Sequence, residues 1–115
     1  MTPDTIFLGV DARDFDGMSG WWSRLLGRDW DRVPMPSCRE WSLTDDVLFQ
    51  VRDNPEREGK ATVTMRVSDL DTERTRLREA GIDIPDPVDV DGFDTLRFVE
   101  FRDPEGNRVG LLDGR

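Results

Sequence analysis

The sequence predicts an α+β fold of two βαβββ modules that pair into a curved, incomplete barrel with the helices outside. Three observations lead there. First, the chain repeats itself: a strand ending in Val10 or Val67, a charged cap, an amphipathic helix, a glycine at 27 or 81, then up to three strands. The offset is 57 residues at the valines and 54 at the glycines, so the repeat is one of pattern, with a small difference in helix length. A unit used twice in this way needs its neighbour to bury its open face. Second, Asp103-Pro104-Glu105-Gly106-Asn107 lies between two apolar-rich segments and reads as a tight turn between strands. Pro104 presets φ, Gly106 supplies a φ > 0 position, and Asp103 or Asn107 can bond the local backbone. Third, 115 residues fit one domain with a modest core. The expected division is module one at about 1–53, a connector at 54–60 and module two at 61–115.

Residues 5–10 alternate as a strand, with Ile6, Leu8 and Val10 on one face and Thr5, Phe7 and Gly9 on the other. The charged run 11–14 is expected to break it and to offer Asp14 as a helix N-cap. Over 15–26 the apolar positions Phe15, Met18, Trp22, Leu25 and Leu26 fall at helical spacing, with Gly27 placed to end the helix. Gly17 and Gly20 each weaken that helix by about 1 kcal/mol relative to alanine, so it relies on packing. Trp22 belongs to the core face; Trp21 faces elsewhere, as a cavity wall, an interface residue or an exposed ring. Strands are expected at 29–33, 39–43 and 47–52, separated by Pro34, Pro36 and Ser37 and by the turn Thr44-Asp45-Asp46.

In the second half, 61–67 alternates with Val63, Met65 and Val67 on one face and Thr62, Thr64 and Arg66 on the other. A helix follows over 72–80, with Leu70, Leu77 and Ala80 on its apolar side, a charged exterior, and Gly81 at its stop. Pro85 and Pro87 limit 82–87 to a short or edge strand, 88–94 reads as an acidic loop, and 95–102 with 107–112 form the closing hairpin.

Composition excludes several kinds of chemistry. There is no histidine, which removes Ser-His-Asp and Cys-His nucleophilic sites, imidazole acid-base catalysis and histidine-rich metal centres. The single cysteine, Cys38, can form no internal disulfide and no cysteine-based metal cluster within one chain, and is expected as a small buried hydrophobe or idle thiol. Net charge is −9, from 25 acidic residues against 16 basic ones, 15 of them arginine. Such a surface repels nucleic acid and anionic lipid and suits cationic ligands. No stretch is long and apolar enough to span a membrane and no secretory leader is visible, so a soluble, cytoplasmic protein is expected.

The module order, the Trp22-Ser23-Arg24-Leu25-Leu26-Gly27 helix end, the Val67-Ser68-Asp69-Leu70-Asp71 junction and the Asp103-Pro104-Glu105-Gly106-Asn107 turn together resemble the vicinal oxygen chelate superfamily. That group includes glyoxalase I, bleomycin-resistance proteins and extradiol dioxygenases, and the bacterial glyoxalase-like domains are the most similar. The resemblance implies the glyoxalase/bleomycin resistance fold and, in most members, a divalent metal held by the first and last strands of each module. The corresponding positions here hold Thr5, Leu48 (or Gln50 by a register slip), Thr62 and Gly110, a poor donor set for a hard ion that wants carboxylates or imidazoles. Neither a metal nor another cofactor is therefore expected.

What remains is a cup. Phe7, Trp41, Leu48, Gln50, Thr62, Thr64, Arg66, Arg102 and Gly110 are its candidate ligand-binding residues, with Arg52, Arg108 and Leu112 facing the same way and Trp41 as a lid or stacking wall. The leading expectation is a metal-free protein that binds a small organic molecule, aromatic or cationic, and sequesters it. One alternative is a lyase or isomerase, metal-independent or with atypical ligands, in which Glu100, Arg66 and Arg102 bind a carboxylate or move a proton. The other is a dimerisation domain without a ligand. A homodimer is expected, and neither nucleic acid nor membrane is an expected partner.

Overall fold

The computed structural model describes residues 2–57 and 59–115. Local sequence sets both helices. Asp14 accepts a hydrogen bond from Gly17 N at 3.0 Å, and Gly27, at φ 79°, ends α1 (Phe15–Leu26) in the left-handed region that glycine adopts without strain. Asp69 accepts from Asp71 N at 3.0 Å, so α2 (Leu70–Glu79) begins earlier than its apolar pattern indicates. Ahead of α1 runs β1 (Ile6–Ala12); after it come β2 (Arg32–Met35), β3 (Cys38–Thr44) and β4 (Val47–Asp53). The second module repeats the order with β5 (Thr62–Arg66), then α2, β6 (Val88–Asp89), β7 (Arg97–Arg102) and β8 (Arg108–Asp113).

Each module builds one four-stranded mixed sheet, ordered β1-β4-β3-β2 and β5-β8-β7-β6, and neither closes into a barrel. The first strand of each module lies parallel to the last, and the remaining pairings are antiparallel. Strand limits also differ from expectation, most in three places. β1 continues through Asp11 and Ala12, because Asp11 finds Arg52 beside it on β4. β2 occupies 32–35 rather than 29–33; it is an edge strand, where Pro34 withholds no ladder bond that matters. Residues 82–87 form no strand, yet Ile82 and Ile84 are buried, and the short β6 falls in the stretch expected as loop.

A single core joins the modules. Trp22, Trp41, Phe49, Val10, Val51, Leu70, Leu77 and Val109 are fully buried in it. Trp22 packs on Phe49 of β4, with ring centroids 4.4 Å apart, while Trp21 reaches Phe101 of β7 at 6.4 Å. Arg76 of α2 donates to the Leu25 and Arg24 carbonyls at the end of α1. The sheets thus meet through their helix-bearing sides, with α1 touching both. Trp21, for which three placements stood open, is a core residue at this joint.

The Asp103–Asn107 turn is the second half of the joint. Asp103, 4% exposed, accepts from Trp22 Nε1 at 3.2 Å, Glu105 N at 3.0 Å, Asn107 N at 2.9 Å and Asn107 Nδ2 at 2.7 Å. Glu105 extends its carboxylate to the other module and accepts from Arg13 N at 2.7 Å and Asp14 N at 2.8 Å, just before α1. Among the described residues no helix is long and apolar enough to cross a membrane.

Candidate functional site

Alternation along each strand leaves every sheet with one face free of helix. On the first sheet, pairing sets Phe7 beside Leu48 and Ser42, Gly9 beside Gln50, Glu40 and Arg32, and Asp11 beside Arg52, Cys38 and Met35. On the second, Thr62 adjoins Arg108 and Arg102, Thr64 adjoins Gly110 and Glu100, and Arg66 adjoins Leu112 and Phe98. These are the faces expected to line a cup. Because the sheets meet through their helix sides, the two faces look outward and one chain does not join them: Phe7, Thr62, Thr64, Arg66, Arg102 and Arg108 are all exposed.

The candidate ligand-binding residues therefore divide. Phe7, Leu48 and Gln50 stand on the first face, and Thr62, Thr64, Arg66, Arg102 and Gly110 on the second, where Glu100 also lies. Trp41 belongs to neither and is a correction. It is fully buried on the helix side, 5.7 Å from Phe49 and 5.9 Å from Trp30 between centroids, and donates Nε1 to the Arg28 carbonyl at 3.1 Å. Its large ring follows the parity of β3, which turns Trp41 inward and Glu40 outward.

The first face combines an apolar end with a fixed polar network. Phe7 is 59% exposed beside Leu48. Glu40, 5% exposed, is held by Arg32 Nε at 2.7 Å and by Gln50 Nε2 at 2.8 Å. Burial works to raise its pKa, but the hydrogen bonds from Arg32 and Gln50 and the arginine charge outweigh that and hold it below the ordinary glutamate value. Asp11 pairs with Arg52 at 3.1 Å, and that guanidinium lies flat over Gly9, where a Cβ would stand 3.2 Å from it. Burial, helped by Glu40 and opposed by Arg52, pushes the Cys38 thiol up. A cleft of about 420 Å³ opens here, lined by Asp11, Met35, Cys38, Gln50, Arg52 and Arg57 among others.

The second face carries an aromatic floor between arginines. Phe98 leans over Gly110, with a ring carbon 3.0 Å from the place a Cβ would take, and Thr64 Oγ1 is 3.1 Å from the same point. Arg102 donates to the Gly106 carbonyl at 2.9 Å and Arg66 to the Gly114 carbonyl, while Arg108 stands 4.0 Å from Glu100. At the back of this sheet Asp113 accepts from Arg97 at 2.7 Å and from Leu70 N at 2.7 Å, capping α2. The Arg97 bond, against an opposing effect of burial, sets the Asp113 carboxyl below its ordinary pKa.

Among the described residues no three of His, Cys, Asp and Glu cluster to hold a metal ion. The carboxylates of the first face are engaged, Glu40 by Arg32 and Asp11 by Arg52, and among the described residues Glu100 stands alone on the second, 4.0 Å from Arg108. Thr62 opens the edge strand β5, and Gly110 on β8 is paired with Glu100, a single carboxylate at that position. This donor set does not fit the divalent metal of the superfamily. Sequence reading missed Asp11, Glu40 and Phe98 as open-face residues. Alternation on β7 carried the signal for Phe98, two residues before Glu100; Asp11 was hidden because a charged run looks like a strand end.

A family model described as glyoxalase-like domain matches residues 7–112. No curated protein sequence matches the chain. Among solved structures, a glyoxalase/bleomycin resistance protein from Catenulispora acidiphila is 26% identical, over 96% of this chain and 98% of that one, with a TM-score of 0.86. TnmS3, an antibiotic binding protein from a Streptomyces species, is 20% identical over 100% and 97%, with a TM-score of 0.78. A bleomycin-binding protein solved with bleomycin is 17% identical over the whole of both chains, with a TM-score of 0.75.

Proposed function

The chain belongs to the glyoxalase-like domain family, and from that premise we propose that it binds and sequesters a small organic molecule without a metal, in a homodimer that brings the first sheet's open face of one copy against the second sheet's open face of the other. The observation that carries this is the outward placement of two helix-free faces that keep exposed aromatic and apolar side chains, Phe7 at 59% above all, beside polar groups already fixed by partners. One face alone is too open to enclose a small molecule, since pockets bury most of a ligand's surface. Two faces brought together make a walled cup with an apolar floor. β1 and β5 are edge strands, so a second copy also covers what each chain leaves unpaired. Two neighbours of the same fold are described as binding an antibiotic and bleomycin, which suits this role.

A thermal-shift screen with aromatic, anionic and cationic compounds and with divalent metals tests the binding, and light scattering tests the dimer. Saturable stabilisation by a compound, in a particle of twice the chain mass, is expected. Phe7→Glu is expected to lower both the mass and the ligand response. A dimer that no compound stabilises would favour an interaction domain without a ligand, and a metal response abolished by chelator would overturn the metal-free assignment.

A further inference from the structure

We infer that the ligand is an aromatic anion, its carboxylate or equivalent group gripped by Arg102 and Arg108 while its ring lies on Phe98; this rests on the open faces being the ligand site. Arg102 and Arg108 are direct partners across β7 and β8, on one face of the sheet. Like charges placed directly opposite on a sheet destabilise it. Among the described residues little offsets the pair. Arg102 has a neutral backbone carbonyl, at 2.9 Å from Gly106, and Arg108 has Glu100 only at 4.0 Å. Arg66, at the other end of the same face, also rests on a carbonyl. These three arginines against one glutamate make the face net positive in a protein whose charge is −9.

The contrast with the other arginines is informative. Arg32, Arg52, Arg74 and Arg97 each hold a carboxylate within 3.2 Å. The face proposed to lie opposite brings no compensation either, because Glu40 and Asp11 are already taken by Arg32 and Arg52. Guanidinium groups recognise carboxylates in a bidentate fork and stack on planar groups, which suits an aromatic acid. Gly110 serves the same purpose. Lacking a Cβ, it lets Phe98 lie down beside Thr64 and present an aromatic surface over Gly110, the next position after Arg108 on that face of β8. The acidic exterior that implies a cationic ligand is thus a property of the outer surface and not of this face.

Calorimetric titration of the full chain with 2-naphthoate, its neutral 2-naphthamide and the cationic 2-naphthylmethylamine separates the cases. The naphthoate is expected to bind about tenfold or more tightly than the amide, with the amine weakest, and its affinity to fall with added salt. Arg102→Gln or Arg108→Gln is expected to remove about tenfold of naphthoate affinity and leave the amide unchanged. Arg102→Lys, which keeps the charge and loses the fork, is expected to fall between and covers the case in which the glutamine variant does not fold. Arg78→Gln on α2 is the control and should change nothing. Equal or tighter binding of the amide or the amine would overturn the anion assignment while leaving small-molecule binding intact. So would failure of all three probes when neutral or cationic compounds stabilise the protein in the thermal screen. Absence of any binder would remove both.

Discussion

Asp103 is the residue on which the union of the two modules is most exposed to test. Its carboxylate, 4% exposed, receives four N–H donors, among them the Trp22 indole of module one and the Asn107 side-chain amide. Trp22 is fully buried and Asn107 is 1% exposed, so neither donor can turn to water when the acceptor is lost. Asp103→Ala orphans both, and each unpaired buried donor costs about 1–3 kcal/mol, so a total of about 4 kcal/mol is expected. Asp103→Asn keeps one oxygen for the two backbone donors but turns an amide NH₂ towards Trp22 Nε1 and Asn107 Nδ2, so the same two donors are left unpaired and most of that loss, about 3 kcal/mol, is expected. Urea unfolding at neutral pH, with linear extrapolation, measures both. A double-mutant cycle with Trp22→Phe isolates the cross-module bond and should return a coupling of about 1–2 kcal/mol. A loss below about 0.5 kcal/mol for Asp103→Asn, or no coupling in the cycle, would show that the turn does not join the modules through this carboxylate.

Trp41→Ala is expected to cost about 3–5 kcal/mol by opening a core cavity, whereas Trp41→Phe should lower the melting temperature without changing ligand affinity; altered affinity with unchanged stability would return Trp41 to the binding face. Glu105→Ala frees the Arg13 and Asp14 amides at the joint and is expected to lose about 1 kcal/mol by chemical denaturation, with Glu105→Gln losing less because one acceptor oxygen remains. The pH dependence follows from Glu40 and Asp113. Both carboxyls sit below their ordinary values when folded, so each contributes stability above the unfolded range near about 4 and loses it as pH falls through the folded pKa. The melting temperature should therefore drop between about pH 5 and pH 3, and drop less steeply in Glu40→Gln; an equal slope would mean that Glu40 gains nothing from Arg32 and Gln50.

Much of the fold was legible because its signals are local. The Asp14 cap and the Gly27 stop bound α1 as written, and alternation assigned Thr62, Thr64 and Arg66 to one face before any sheet existed. Failures came where tertiary contact overrides local preference. Asp11 reads as a strand breaker alone, yet Arg52 on the neighbouring strand keeps it in β1. Ile82 and Ile84 have strand-like composition, but they serve the core from a segment without a ladder. Trp41 has the size of a cup wall, whereas its pairing with Phe49 puts it on the helix side of the sheet.

By itself the sequence determined the repeated module, the limits of α1 and the shared face of Thr62, Thr64 and Arg66, since caps, turns and two-residue alternation act over a few positions. Only the tertiary structure decided how the modules face one another. The bond from Trp22 to Asp103 and the packing of Trp21 on Phe101 bring the helix sides together and turn both open faces outward. Those contacts span about eighty residues of chain, and no local pattern encodes which of two apolar faces a distant module will choose.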